Sequence, residues 1–170
     1  MPVRPIVLYP DPILRRPCPE VTDFGSGLSD LVADLADTMY AAPGVGLAAP
    51  QIGVTARVAV VNVTPAAPGS TLHVLVNPRL TERDGLDSDS EGCLSIPGLT
   101  EKVDRPRRVK VAAQDLGGRP FEVEAEGFLA RAICHEIDHL DGVLFIDRLA
   151  GLRKQLAVRR LKKLPFLAEP

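Results

Sequence analysis

An α+β fold is expected: short, mostly antiparallel strands around a central metal-binding HExxH helix, with a basic C-terminal helix. Three observations predict it. The pentapeptide His135-Glu136-Ile137-Asp138-His139 lies late in the chain, in a stretch rich in helix formers. The middle of the chain alternates apolar and polar residues in short runs cut by Pro, Gly and Asp. Two further stretches, one early and one at the end, repeat apolar residues at helical spacing. At 170 residues the chain is read as a single domain, 1–170, burying roughly two-thirds of its unfolded surface.

Taken in order, residues 3–25 read as an extended, proline-punctuated arm, with Asp11-Pro12 opening a turn. Leu28, Leu31, Val32, Leu35 and Met39 share one helical face. Ser26 or Ser29 is the expected cap of this helix and Pro43-Gly44 its stop. The stretch 44–53 reads as a tight helix-to-strand loop. It is not a phosphate loop, because no Lys-Ser/Thr follows its glycines. Strands are expected at 57–63 and 72–76, with 80–84 continuing the sheet. The acidic run 82–91 reads as a solvated loop. It lacks the ligand spacing of a calcium site.

Strands follow at 103–105 and 107–113, and Asp115-Leu116-Gly117-Gly118 turns the chain into a hairpin partner at 120–125. The HExxH helix should run from near Gly127 to Asp141-Gly142, with glycine as its stop. Phe128, Leu129, Ala132, Ile133 and Leu140 supply its apolar surface. The last helix spans roughly 149–164. Leu149, Leu152, Leu156 and Leu161 are its packing face, and Arg153, Lys154, Arg159, Arg160, Lys162 and Lys163 make it basic. That basic face reads either as a solvated surface with a favourable helix dipole or as a patch docking on ribosomal RNA.

Composition excludes several classes. A formal net charge of −2 argues against a general DNA or RNA binder. No apolar run approaches a membrane span, and the first residues lack a signal peptide's apolar core. Three cysteines give an odd number without a paired framework. A reducing, cytoplasmic location is the expectation.

The chemistry centres on the pentapeptide. Residues four apart on a helix lie nearly above one another, so His135 and His139 can grip one metal ion. Glu136 is rotated by about 100° and can reach a water beside that metal. This is the arrangement of metal-assisted hydrolysis. A catalytic site of this kind usually has a third protein ligand and one open position. The continuation HExxH-xxG-xxH fails here, because Phe145 occupies the ligand position. No Asp or Glu lies in 149–168, and Glu169 stands one residue from the end. The third ligand therefore comes from upstream. His73 sits alone in an alternating strand. Cys134 is turned away from His135 and reads as buried filler. Cys18 lies in a rigid, surface-like Arg-Pro-Cys-Pro turn. Cys93, in Glu91-Gly92-Cys93-Leu94-Ser95-Ile96-Pro97-Gly98, is held by glycines and a proline and is the best third ligand.

Three motifs, in matching order and spacing, make the sequence similar to the peptide deformylases of bacterial type. They are Gly44-Val45-Gly46-Leu47-Ala48-Ala49-Pro50-Gln51, Glu91-Gly92-Cys93-Leu94-Ser95, and His135-Glu136-Ile137-Asp138-His139-Leu140-Asp141-Gly142. The resemblance runs from about residue 6 to about residue 148. Two positions depart from the pattern: Cys134, where many members carry Gln, and Arg131, where a nearby position is often aliphatic.

The resemblance implies a hydrolase that removes the formyl group from N-formylmethionine of newly made polypeptides, releasing formate. Cys93, His135 and His139 would hold one divalent ion. Fe2+ is the implied physiological metal, with Zn2+, Ni2+ or Co2+ able to replace it. Glu136 would move the protons. The Gln51 amide and the Leu94 backbone N–H would steady the oxyanion. Gly44, Val45 and Gly46 would bind the peptide by strand addition. Glu91 is expected to pair with Arg105 and brace the Cys93 loop. The partners implied are the nascent formylated chain and the ribosome, the latter through the basic last helix. Two rival classes are an ordinary zinc endopeptidase and a non-enzymatic metal-binding protein. The first lacks its downstream ligand. The second has no need of Glu136 or Gln51.

Overall fold

The computed structural model describes residues 3–168. Met1, Pro2, Glu169 and Pro170 lie outside it, and with them the discounted ligand Glu169. Helix α1 (Ser26–Ala41) leads into seven strands: β1 (Gly46–Ala48), β2 (Val58–Val61), β3 (His73–Asp84), β4 (Asp87–Cys93), β5 (Ile96–Arg105), β6 (Arg108–Gln114) and β7 (Pro120–Glu126). Helix α2 (Gly127–Leu140), helix α3 (Gly151–Lys162) and a last turn α4 (Pro165–Ala168) follow. Five strands form one antiparallel sheet in the order β1-β2-β3-β6-β7. Strands β4 and β5 form a separate hairpin.

Helices cover both faces of the larger sheet, which is why β2 is an unbroken apolar run rather than an alternating one. Val58 and Val60 pack against Leu28, Val32, Leu35 and Met39 of α1. Val61, one residue on and therefore on the other face, packs with Ile133, Cys134 and Ile137 of α2. The α2 helix thus lies pressed on the sheet, and 11 of its 14 residues are buried.

The N-terminal arm wraps the site. Its backbone N–H groups donate to Gln51 O from Val7 (2.7 Å), to Ser95 O from Tyr9 (2.8 Å) and to Leu140 O from Cys18 (2.8 Å). Gly142 ends α2 at φ 76°, and a Cβ there would stand 2.5 Å from Arg15 O of this arm. Only glycine fits.

Five expectations are corrected. The acidic run is not a loop: 87–93 is strand β4, paired from Asp87 opposite Arg105 to Cys93 opposite Ile96. A run of exposed residues, Ser88, Asp89 and Ser90, hides the strand pattern, and Glu91 is buried. Neither Ser26 nor Ser29 caps α1, since the N-cap is Gly25 without a side-chain bond. Phe128 is half exposed, because the first turn of α2 stands at the mouth of a cleft. Leu152 and Leu156 are exposed on α3, where Ala157 and Leu161 do the packing. Cys18 is buried, covered by the approach of its own arm to the end of α2.

Candidate active site

Two elements bring the predicted ligands together. Helical spacing stacks His135 over His139, with Nε2 atoms 3.2 Å apart. The tight turn between β4 and β5 places Cys93 Sγ 3.3 Å from His139 Nε2. The three ligand atoms all lie within 4.8 Å of one another. A tetrahedral ion with metal–nitrogen bonds of about 2.0–2.1 Å and a metal–sulfur bond of about 2.3 Å needs ligand separations of about 3.3–3.6 Å. The cluster matches that size. Three donors converging at such distances could hold one cation between them, so the residues present fit a metal ion.

Protonation follows the same logic. Burial opposes charge on His135, but hydrogen bonds to Cys93 and Glu91, with the charge of Glu136, outweigh it and raise its pKa well above the imidazole range. Burial first, then the neighbouring His135 charge, pushes His139 well below that range. His135 Nδ1 faces Glu91 Oε1 at 2.9 Å. With a metal bound, a proton kept on Nδ1 toward Glu91 would leave the Nε2 lone pair to the ion, the usual arrangement of a ligating histidine.

Glu91 is the hub of a buried polar network. Arg105 grips it in a two-pronged fork, Nε to Oε2 at 2.8 Å and Nη2 to Oε1 at 2.9 Å, as expected from the sequence. Arg131 adds a third bond to Oε2 at 2.8 Å. Burial alone would raise the Glu91 pKa, but the hydrogen bonds and charges of Arg105 and His135 hold it down at about 2. Arg105 also reaches Asp138 Oδ2 at 2.6 Å, and Arg148 pairs with the same carboxylate. Sequence reasoning missed Arg131, Asp138 and Arg148 as members of this network. The available signal was charge on the buried face of a helix, which demands partners.

Glu136 is buried, with Oε1 free of any hydrogen bond among the described residues. Desolvation raises its pKa to about 7, despite the opposing His135 charge. That is the range for a group that must both take and give a proton at neutral pH. Its carboxylate lies against Gly46, where a Cβ would stand 2.5 Å from Oε2. At Gly44 a Cβ would meet Leu94 Cδ1 at 2.7 Å. The glycines of the first motif are therefore close-approach residues.

Gln51 accepts from Ala48 N–H through Oε1 (3.0 Å). Its amide nitrogen donates to Ser95 Oγ (3.1 Å) and points at Cys93 Sγ (3.7 Å). Leu94 follows the sulfur directly in the hairpin turn.

A cavity of about 530 Å3 opens over these groups, lined by Gly44, Val45, Gly46, Gln51, Glu136 and Phe128 among others. Strand β1 is the edge of the sheet. Val45 C=O accepts from Asn62 N–H (2.8 Å), opposite it in the ladder. By alternation, Gly46 turns both its backbone groups to the open edge. Gly46 thus presents backbone to the cleft, whereas Val45 presents its side chain.

A three-donor cluster on a loop and a helix, beside a buried carboxylate and an open sheet edge, has the makeup of a metal-dependent hydrolase. The profile of the polypeptide deformylase family matches residues 3–155. A peptide deformylase from Acidobacterium capsulatum is 48% identical, with 99% of each chain covered. The crystal structure of a peptide deformylase from Legionella pneumophila aligns at a TM-score of 0.89 and 42% identity, covering 99% of this chain and 100% of that one. The Thermus thermophilus enzyme aligns at 0.88 and 45%, covering 95% and 94%. The chain belongs to the polypeptide deformylase family. It is an enzyme that removes the N-terminal formyl group from newly synthesised polypeptides.

Proposed function

We propose that Cys93, His135 and His139 hold one divalent metal ion and that Glu136 carries the protons of deformylation. The observation supporting this is the match between the separations of the three donors and the size of a tetrahedral site. A divalent ion bound there acts as a Lewis acid and brings the pKa of a water toward about 7.

The chain's own residues supply the rest. Glu136 takes the proton of the water that attacks the formyl carbon, and then passes it to the leaving amine. Gln51, through its amide NH2, and Leu94, through its backbone N–H, donate to the oxyanion. Loss of one such donor costs about 10²-fold or more in rate. Gly46, with Gly44, lines the edge along which the peptide lies, and Val45 walls the methionine side chain together with α2.

A thiolate and two imidazoles suit iron as well as zinc. We assign Fe2+ as the working metal, with Zn2+, Ni2+ and Co2+ as substitutes. The cytoplasm is the compartment this reading assigns. No described helix is long and apolar enough to cross a membrane. The exposed Lys154, Arg159 and Lys162 of α3 give a cationic face suited to ribosomal RNA.

The test is formate release from a formyl-Met peptide, with an internal-bond peptide as control. Glu136→Ala should lose about 10²- to 10⁴-fold in kcat while retaining one metal per chain. Cys93→Ser should lose the metal. A Glu136→Ala enzyme of near wild-type rate overturns the assignment of the proton carrier.

A further inference from the structure

The two ligand sources belong to different parts of the fold. His135 and His139 ride on α2, which is packed on the five-stranded sheet. Cys93 rides on the β4–β5 hairpin, which shares no strand pairing with that sheet. Something must fix the distance between them, because a displacement of about 1 Å at a reacting centre is enough to cost about 10² in rate.

Arg131 spans that gap. It stands one helical turn before His135, and its side chain is 3% exposed. Nη1 donates to Val103 O (2.8 Å), Asp89 O (3.3 Å) and Glu91 Oε2 (2.8 Å), while Nη2 donates to Asp87 O (2.8 Å). One guanidinium therefore ties the helix to both strands of the hairpin, and also to the carboxylate that orients His135. A planar fork can do this, whereas the point charge of a lysine cannot satisfy several acceptors in fixed directions. Arg131 also lies at the wall of the active-site cavity, with its guanidinium turned into the network.

We propose that Arg131 is a positioning residue, setting the place of the Cys93 sulfur relative to the two histidines. The inference rests on Cys93, His135 and His139 being the ligands, so the experiment separates the two claims. Wild type and Cys93→Ser are first assayed for bound metal. Full retention by Cys93→Ser refutes the ligand set, whatever Arg131 does.

Arg131→Met and Arg131→Lys are then loaded with Zn2+, and transfer of the metal to a chromophoric chelator is timed alongside kcat and KM. Arg131→Met should release metal about ten- to a hundredfold faster than wild type, the usual cost of losing outer support at a metal site. Its kcat should fall more than its KM changes. Arg131→Lys keeps a charge toward Glu91 but loses the span across both strands. It should lie between the two, and it carries the test if Arg131→Met does not fold. A lower melting temperature with wild-type metal release and wild-type kcat in the folded variants makes Arg131 merely structural and overturns the proposal.

Discussion

Helix α2 and the β4–β5 hairpin supply ligands to the same centre and are held in place by different physics. The helix is fixed by apolar packing: Ile133 and Ile137 lie against Val61, Val109 and Val111 of the sheet. The hairpin contributes Ile96, Leu99 and Val103 to a separate apolar cluster. Between Ile96 and Val103 in the register, Glu91 is fixed by charge, through Arg105 and Arg131. Apolar packing is indifferent to metal and nearly indifferent to pH. A charged joint answers to both.

The largest expected effect follows from that difference. Stripping the metal with a strong chelator should abolish formate release and loosen the two regions unequally. Hydrogen exchange at amides around Cys93 should rise about tenfold or more, while the core amides of α2 keep their protection, since a ligand bound only to the folded site stabilises what it joins. Equal loosening of both regions breaks the comparison.

Apolar packing sets the next largest effect. Ile133 is fully buried between α2 and the sheet. Ile133→Ala should cost about 2–5 kcal/mol, read as a shift in the denaturation midpoint with little change in slope.

The charged joint sharpens the contrast with acid. The Glu91 pKa is depressed from 4.5 to about 2. A carboxylate whose folded pKa is lowered stabilises fully above its unfolded pKa and loses that contribution as pH falls through the folded value. The window is therefore pH 4.5 down to 2. At about 1.4 kcal/mol per pH unit the loss is about 3 kcal/mol. In urea titrations between those limits, wild type should lose stability more steeply than Glu91→Gln. Parallel curves would remove Glu91 from the joint.

The same contrast explains what the sequence made legible. The His135–His139 pair, the apolar face of α1 and the hairpin turn at 115–118 all follow from local spacing, and the fold carries them as expected. Strand β4 did not follow, because Ser88, Asp89 and Ser90 are exposed in succession and mask the period of two. Arg131 read only as a departure from the family pattern, because nothing local says that a helical arginine will meet three carbonyls from strands 28 to 44 residues away in the chain. Glu91 with Arg105 was legible only through the motif that contains it. Contacts set by packing repeat along the sequence, whereas contacts set by charge across the fold do not.

The smallest effect tests where apolar periodicity itself misleads. Spacing on α3 places Leu152, Leu156 and Leu161 as one packing face, yet Leu161 is 3% exposed and Leu152 69%. The helix packs its apolar side on the hairpin and the 145–148 turn along the line of Ala157 and Leu161, beside Phe145 and Leu149. Leu152 lies in the first turn, outside that apolar cluster. Leu152→Ser should therefore change stability by no more than about 0.5 kcal/mol, as surface substitutions do. Leu161→Ala should match the cost of Ile133→Ala. A large loss for Leu152→Ser, concentration-dependent in denaturation, would mean that the leucine is covered by another molecule in solution and that α3 has an apolar partner as well as a cationic face.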